Sequence, residues 1–382
     1  MPERTSELRQ RLRLNLNKLI FLFFIVHPGS LAFGQSAGTF VGGYGEMKYQ
    51  HFDNGDLPRL DISRFVIYLD HSFNNRWMFK SETEIEHVKI EGGAGGEIGI
   101  EQAYLDYRAE NWLGWRGGLV VLPIGIMNQN HEPTTFYSVE RPLFDQVVIP
   151  STWAEIGTGI YGDASRTIRY QLYLTEGLKT QSITMAGLDP AKQEGSAGAE
   201  TSDLIAGSDA SHPALSGKIS FQPMMGLEFG ASGYVQRGYT QEFSRAFALG
   251  DLDAQYQRGP LRIRAEGAFI NTGDASDLSS VPLKIGGGYG EIAYDLFSLF
   301  SEKKSELDAF VRYEQYAFQQ REPVEIGALL PLATEWSLHR AITGGFAYKP
   351  LNELILKVDY RWTNTDVGLE RSEFGIGAGY VF

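Results

Sequence analysis

The sequence contains no cysteine, which excludes a disulfide framework, a thiolate metal centre and thiol redox chemistry. Histidine is scarce, at 7 in 382 residues, and unclustered, leaving little for general-base catalysis. Basic residues are outnumbered, 34 Lys and Arg against 47 Asp and Glu, for a net charge of −13. A nucleic-acid partner needs a basic footprint and is not expected. Beyond residue 26 no apolar run approaches the roughly 20 residues that a membrane-spanning helix requires. No solenoid or propeller repeat is present, and no G-x-S-x-G, H-E-x-x-H or P-loop pattern. Ser337 and His339 share one strand face, but Asp308 or Glu335 would orient that histidine only by accident of fold. Neither an enzyme nor a cofactor is expected.

The single strongly apolar run is N-terminal and short. Arg9, Arg11, Arg13 and Lys18 precede Leu19 to Val26, and Ala32-Phe33-Gly34 places small residues at −3 and −1 of a cleavage site. Residues 1–34 are therefore expected to be a signal peptide, cut before Gln35. The alternative, a membrane anchor, requires a longer run. With no spanning helix left in the mature chain, a closed barrel is the one architecture by which it can cross a bilayer.

Aromatics and glycine are plentiful: 23 Phe, 19 Tyr, 6 Trp and 44 Gly. From residue 39 the dominant period is two. Trp77, Phe79, Ser81, Thr83 and Ile85 alternate with Lys80, Glu82, Glu84 and Glu86, and Leu354, Leu356, Val358, Tyr360 and Trp362 with Lys357, Asp359 and Arg361. Such segments are strands with one apolar and one charged face. Strands are expected near 39–50, 60–73, 76–90, 98–109, 115–123, 154–163, 167–176, 214–221, 226–238, 246–257, 261–271, 283–295, 306–317, 335–348, 353–364 and 370–382. That is about sixteen, an even number, as in bacterial single-chain barrels. Tight turns rich in Asn, Gly, Pro and Asp alternate with longer connectors, for which a soluble β-sandwich gives no reason. The 296–305 connector is longer and breaks the pattern. The expected fold is all-β: residues 35–382 as one transmembrane antiparallel barrel in a bacterial outer membrane, with both termini on the short-turn rim. Residues 180–213, rich in Gly, Ala, Ser and Asp, suit a flexible exterior loop.

In the last strand Phe374, Ile376, Ala378, Tyr380 and Phe382 share one face, while Gly375, Gly377, Gly379 and Val381 form the other. The apolar face suits lipid. The face of small residues implies that something packs close to the wall there. The terminal aromatic resembles the signal read by the outer-membrane assembly machinery. Trp77, Trp112, Trp115, Trp336, Tyr348 and Trp362 suit interfacial girdles.

The third long connector, 124–153, mixes apolar anchors (Phe136, Val139, Leu143, Phe144, Val147, Val148, Ile149, Trp153) with charges. Folded into the lumen it can bury those anchors and turn its charges to the channel. His131, Glu132, Glu140, Arg141, Asp145 and the adjacent Glu155 are the candidate constriction residues. His131 beside Glu132 reads as a hydrogen-bonded structural histidine in preference to a metal pair, because no second histidine lies at ligand spacing. Glu140-Arg141 reads equally as a lumenal charge screen or as a tie from loop to wall. The stretch Leu122-Pro123-Ile124-Gly125 through His131-Glu132-Pro133, Val139-Glu140-Arg141-Pro142 and Ile149-Pro150-Ser151-Thr152-Trp153 resembles the loop of the phosphate-selective porin O and P family and its broader porin relatives. Gln102-Ala103-Tyr104-Leu105 in a flanking strand is also similar. The resemblance implies a sixteen-stranded barrel, commonly a homotrimer, that passes small hydrophilic solutes. The loop holds Arg141 but no lysine, and it is acidic. That departs from a phosphate-selecting constriction and favours the wider porin group.

Inward positions are expected to carry Arg64, Lys80, Glu82, Glu84, Glu86 and Asp106, then Arg262, Arg264, Glu266, Arg312, Glu314, Lys357, Asp359 and Arg361. Their mixed signs suit a transverse field that sets ion preference, salt bridges that stiffen the wall, or both. The acidic chain and loop imply weak cation preference. The other readings kept open are an anion or phosphate channel and a non-conducting structural or adhesive barrel.

Overall fold

The computed structural model describes residues 37–53, 56–87, 97–149, 151–178, 210, 212–237, 246–272, 284–300, 305–321, 334–366, 368 and 370–382. The expected signal peptide and most of 180–213 lie outside these, as do the side chains of Glu335 and Trp336. The strands are β1 (Gly38–Phe52), β2 (Arg59–Ser72), β3 (Trp77–Glu86), β4 (Glu97–Glu110), β5 (Leu113–Val121), β6 (Ala154–Asp163), β7 (Ile168–Thr175) and β8 (Ala214–Met224). They continue as β9 (Leu227–Arg237), β10 (Ala246–Arg258), β11 (Leu261–Asn271), β12 (Lys284–Asp295), β13 (Glu306–Arg321), β14 (Thr334–Leu351), β15 (Leu354–Thr365) and β16 (Glu370–Val381). Each pairs antiparallel with its sequence neighbours, and β1 closes on β16. The sixteen-strand barrel is therefore as the alternation predicts.

Local chemistry sets the short rim. Asn74 Oδ1 accepts from the backbone N–H of Arg76 at 2.9 Å and Trp77 at 3.0 Å, bending the chain between β2 and β3. Asp295 accepts from Phe297 N and Leu307 N, both at 3.0 Å, and so fixes a 3-10 turn at Leu296–Leu299. This turn accounts for the length of the 296–305 connector. Two details differ from expectation. The connectors after β1 and β15 are short although they lie on the long-loop rim, so loop lengths do not alternate strictly. Strand β3 stops at Glu86 instead of residue 90, where His87 takes φ 46°, a conformation that ends an extended run.

The barrel closes through its last residue. Gly43 N donates to Phe382 O at 3.0 Å, and Phe382 N returns to Gly43 O at 2.8 Å. The Phe382 ring points outward and stacks on Phe65, with centroids 6.3 Å apart. Phe382 thus completes the β1–β16 ladder and covers its outer face.

Outward positions carry exposed Leu69, Ile100, Ile156, Phe229, Phe269, Ile342, Phe346 and Ile376. A continuous apolar belt of this kind has no place in water; it is the lipid-facing band of a transmembrane barrel, an architecture of the bacterial outer membrane. At the short-turn rim Trp77 packs on Tyr107 at 4.6 Å and on Trp115 at 6.2 Å, consistent with an interfacial girdle. Replacing Ile376, midway along β16, by Arg puts a charge into the hydrocarbon. It is expected to cost about 2–4 kcal/mol, against roughly 0–1 kcal/mol for Tyr380→Arg near the rim. Equilibrium unfolding from lipid vesicles measures both, and equal costs would contradict the assigned depth.

Candidate functional site

Between β5 and β6 the chain does not stay on the rim. It folds back into the lumen, where Leu122, Ile124, Phe144, Val148 and Ile149 join one apolar cluster with Tyr104, Tyr173, Tyr234, Phe247, Ile270, Tyr289 and Phe318 of the wall. The neck is closed by a residue that the sequence did not single out. Asn128 Nδ2 donates to Leu122 O at 2.8 Å and Trp153 O at 3.1 Å, while its Oδ1 accepts from Trp153 N at 2.7 Å. One buried amide thus joins the two ends of the loop.

A loop without ladder partners carries backbone groups that need partners elsewhere. The charged wall supplies them. Lys218 Nζ donates to Gly125 O at 2.6 Å, Arg264 Nη2 to Thr135 O at 2.7 Å and Lys349 Nζ to Thr134 O at 2.8 Å. In the other direction Glu266 accepts from Ile126 N at 3.0 Å, Asp359 from Val139 N at 2.5 Å, and Glu314 from Phe144 N at 3.1 Å. That last bond anchors the single helical turn α1 (Phe144–Val147). Gly125, at φ +68°, is needed for its conformation and for space, since a Cβ there would lie 2.3 Å from Glu266 Oε1.

The small-residue face of β16 is the floor on which the loop rests. A Cβ on Gly379 would meet Pro133 Cβ at 2.5 Å, and one on Gly375 would meet Val139 Cβ at 3.1 Å. The close packing expected from Gly375, Gly377 and Gly379 is the loop itself.

The six constriction candidates come to the loop–wall contact, and five of them are buried. His131 Nδ1 lies 2.8 Å from Asn128 O, and its Nε2 faces Glu101 at 3.3 Å and Glu82 at 3.6 Å. Glu132 is buried beside them. Arg141 Nη2 donates to His131 O at 3.4 Å. Asp145 has no hydrogen bond to either carboxylate oxygen; burial, reinforced by Glu314 and Asp251, holds it well above the usual carboxylate range. Glu155 is not a loop residue. It belongs to β6, where Trp153 Nε1 at 3.0 Å, Tyr234 OH at 2.9 Å and Thr175 satisfy it. Only Glu140 keeps an appreciably accessible side chain, at 22%. It bonds Lys48 at 3.1 Å and Gln50 at 3.2 Å, which is the loop-to-wall tie of the two readings given above. Apolar burial draws the loop against the wall, and the wall captures Glu140 there.

Of the expected inward positions, Arg64, Lys80, Glu82, Glu84, Asp106, Glu266, Arg312, Glu314, Lys357 and Asp359 are buried within the barrel. Arg64 bonds Glu46 at 3.0 Å and lies 3.6 Å from Glu84, Lys80 pairs with Asp70 at 3.7 Å, and Asp106 with Arg116 at 2.9 Å. Arg262 contacts Asp308 at 2.6 Å and Glu306 at 2.8 Å, while Arg361 pairs with Glu373. Arg312, fully buried, binds Glu314 and Glu291 at 3.0 Å each and Ser138 Oγ at 2.7 Å. Lys357 lies 3.5 Å from the centre of the Phe136 ring. Salt-bridging and loop capture thus occupy most of the wall charge. Sequence reading missed Lys48, Lys218 and Lys349, although period two marks all three, and Glu101, which it does not mark.

Ser337 Oγ and His339 Nε2 meet at 3.2 Å. The imidazole is stacked on Tyr316 at 5.1 Å, and Asp308, at the far end of β13, is engaged by Arg262. Asp308 therefore does not orient that histidine.

No protein-family profile matches the chain. An uncharacterized protein of Aquifex aeolicus (strain VF5) is 34% identical over 345 residues, covering 85% of this chain and 75% of that protein. Among solved structures, the anion-selective porin from Comamonas acidovorans aligns over 91% of this chain and all of its own, with TM-score 0.58 and 12% identity. The outer membrane channel DcaP of Acinetobacter baumannii gives 0.56 and 14% over 91% of this chain and 98% of its own. Vibrio cholerae OmpT in its trimer form gives 0.55 and 12% over 91% of this chain and all of its own. At these identities the likeness is one of fold.

Gly379→Val is expected to lift the loop from its floor at a cost of about 1–3 kcal/mol. Protease then cleaves within 124–153 while the barrel keeps its folded, heat-modifiable mobility on gels. Ala378→Val, on the lipid face, leaves the loop protected. Equal protection in both variants would show that the loop is not seated on β16.

Proposed function

This chain belongs to the same family as the Aquifex aeolicus protein, and we propose that it is a porin-type diffusion channel for small hydrophilic solutes. The observation that carries this reading is the third loop, which is folded into the barrel and narrows it from within. The half-buried Gln129, Asn130, Thr134, Thr135, Glu140 and Gln146 give the loop's remaining accessible edge a polar character. Export with loss of residues 1–34, recognition of the β16 end by the assembly machinery, and assembly as a homotrimer belong to the same reading. So does action by passage, without catalysis.

Composition pointed to weak cation preference. The placement of charge favours the opposite. In several lumenal pairs the cation is the more accessible partner: the Arg116 side chain is 20% accessible against 4% for Asp106, and Lys218 12% against none for Asp253. Arg264 with Glu291, and Arg361 with Glu373, repeat the arrangement. Glu140 and Glu306 reverse the order, and Arg64 with Glu84, Lys80 with Asp70, and Arg312 with Glu291 and Glu314 show none. We therefore infer a narrow channel with modest preference for small anions.

In planar bilayers with a tenfold KCl gradient, the reversal potential of wild type is expected on the anion side. Arg116→Gln combined with Arg361→Gln moves it toward the cation side, and Glu140→Gln moves it further toward the anion side. Selectivity is weaker at 1 M than at 0.1 M salt, where the screening length is about 10 Å. A cation-selective wild type would refute the anion preference. Absence of conductance from folded protein would favour a structural or adhesive barrel.

A further inference from the structure

Three lumenal side chains converge without satisfying one another. His131 comes from the loop, Glu82 from β3 and Glu101 from β4, and all three are at least nine-tenths buried. One donor atom from each lies within 4.8 Å of the other two. His131 Nε2 is 3.3 Å from Glu101 and 3.6 Å from Glu82, yet Nε2, Glu82 Oε1 and both oxygens of Glu101 have no hydrogen bond. Their lone pairs are close but not aligned on a shared proton.

Each ligand atom is also oriented by a neighbour. His131 Nδ1 is held against Asn128 O at 2.8 Å. A proton on that nitrogen leaves Nε2 as the bare donor, the usual arrangement of a metal-bound imidazole. The other oxygen of Glu82 is fixed by Gln102 Nε2 at 2.5 Å. Glu101 sits where the β3–β4 register slips between Glu82 and Thr83. That bulge turns its carboxylate inward beside Glu82.

Charge points the same way. Glu46, Glu82, Glu84, Glu101 and Glu132 are buried around His131, against the cations Arg64, bonded to Glu46 and near Glu84, Arg141, which reaches His131 O, and Lys48, 3.1 Å from Glu46. An excess of buried carboxylates calls for a further cation. One nitrogen and two oxygen ligands suit zinc or a similar first-row ion better than calcium, which takes six to eight oxygens. Metal–ligand bonds of about 2.0–2.1 Å in a tetrahedron place the donors roughly 3.3–3.4 Å apart, close to the two separations that His131 makes.

We propose that Glu82, Glu101 and His131 bind one divalent transition-metal ion of the zinc class, which fastens the third loop to strands β3 and β4. The ion's role is structural, and the inference stands independently of conductance or ion preference.

The test uses untagged full-length protein, folded in detergent, stripped with EDTA and titrated with Co²⁺ and Zn²⁺. One Co²⁺ per chain is expected, with the intense visible absorption of a four-coordinate ion, displaced by Zn²⁺. Glu101→Gln, nearly isosteric, and His131→Ala are each expected to weaken binding by about 100-fold or more, whereas Glu306→Gln, on β13, leaves it unchanged. Bound metal is expected to raise the unfolding temperature of wild type and not of Glu101→Gln. The proposal is overturned if folded wild type takes up no ion at 0.1 mM. It is equally overturned if Glu101→Gln and His131→Ala, verified as folded, bind as wild type does. His131 would then be an ion-paired residue only.

Discussion

A stretch of backbone with no strand partner is buried inside a barrel, and every N–H and C=O along it needs a partner there. Leaving one unmet costs about 1–3 kcal/mol, so several would cancel the gain from burying Phe144 or Ile149. The wall meets this demand with charged side chains. Lysines and arginines reach loop carbonyls, and carboxylates accept loop N–H groups. Much of the lumen's charge is therefore the counterpart of an irregular loop.

The shape of the loop follows from the same constraint. Its ends are joined by the Asn128 amide, its first bend is possible because Gly125 has no side chain to strike Glu266, and its tip settles on glycines of β16. The apolar cluster supplies the drive, while these polar and steric details select one seating. A loop held at neck, bend and tip is pre-organised, so its seating in the lumen is a property of the fold and does not depend on a solute to form it.

The fold was largely legible because a strand encodes its two faces in alternate residues. Period two located sixteen strands, put Arg64, Asp106 and Asp359 on the lumen side, and exposed the glycine face of β16. The misplacements have definite causes. Glu155 was grouped with the loop for its charge, although the alternation already placed it in β6, whose expected bounds 154–163 are the observed ones. Glu101 was missed because Tyr104 and Asp106 set a parity that assigns it to lipid, and a bulge reverses that parity. A carboxylate at a position that alternation gives to lipid is itself a mark of such a bulge. Asn128 carries no pattern at all: its role depends on two loop ends meeting, a contact that no local period records.

Net charge and the placement of charge give different readings, for a related reason. The chain is acidic, yet in pairs such as Arg116 with Asp106 and Lys218 with Asp253 the cation is the more accessible partner. Aspartate and glutamate have short side chains, so an inward carboxylate stays near the wall, where loop N–H groups and neighbouring cations cover it. Arginine and lysine have long apolar stems that can carry the side chain past its partner and leave part of it accessible. Arg116 over Asp106 and Lys218 over Asp253 both follow this geometry. The field a solute meets is set by which partner of each pair stands outermost, a matter of side-chain length. Total charge cannot supply that ordering, because it counts Asp253 and Lys218 equally although only the lysine reaches water.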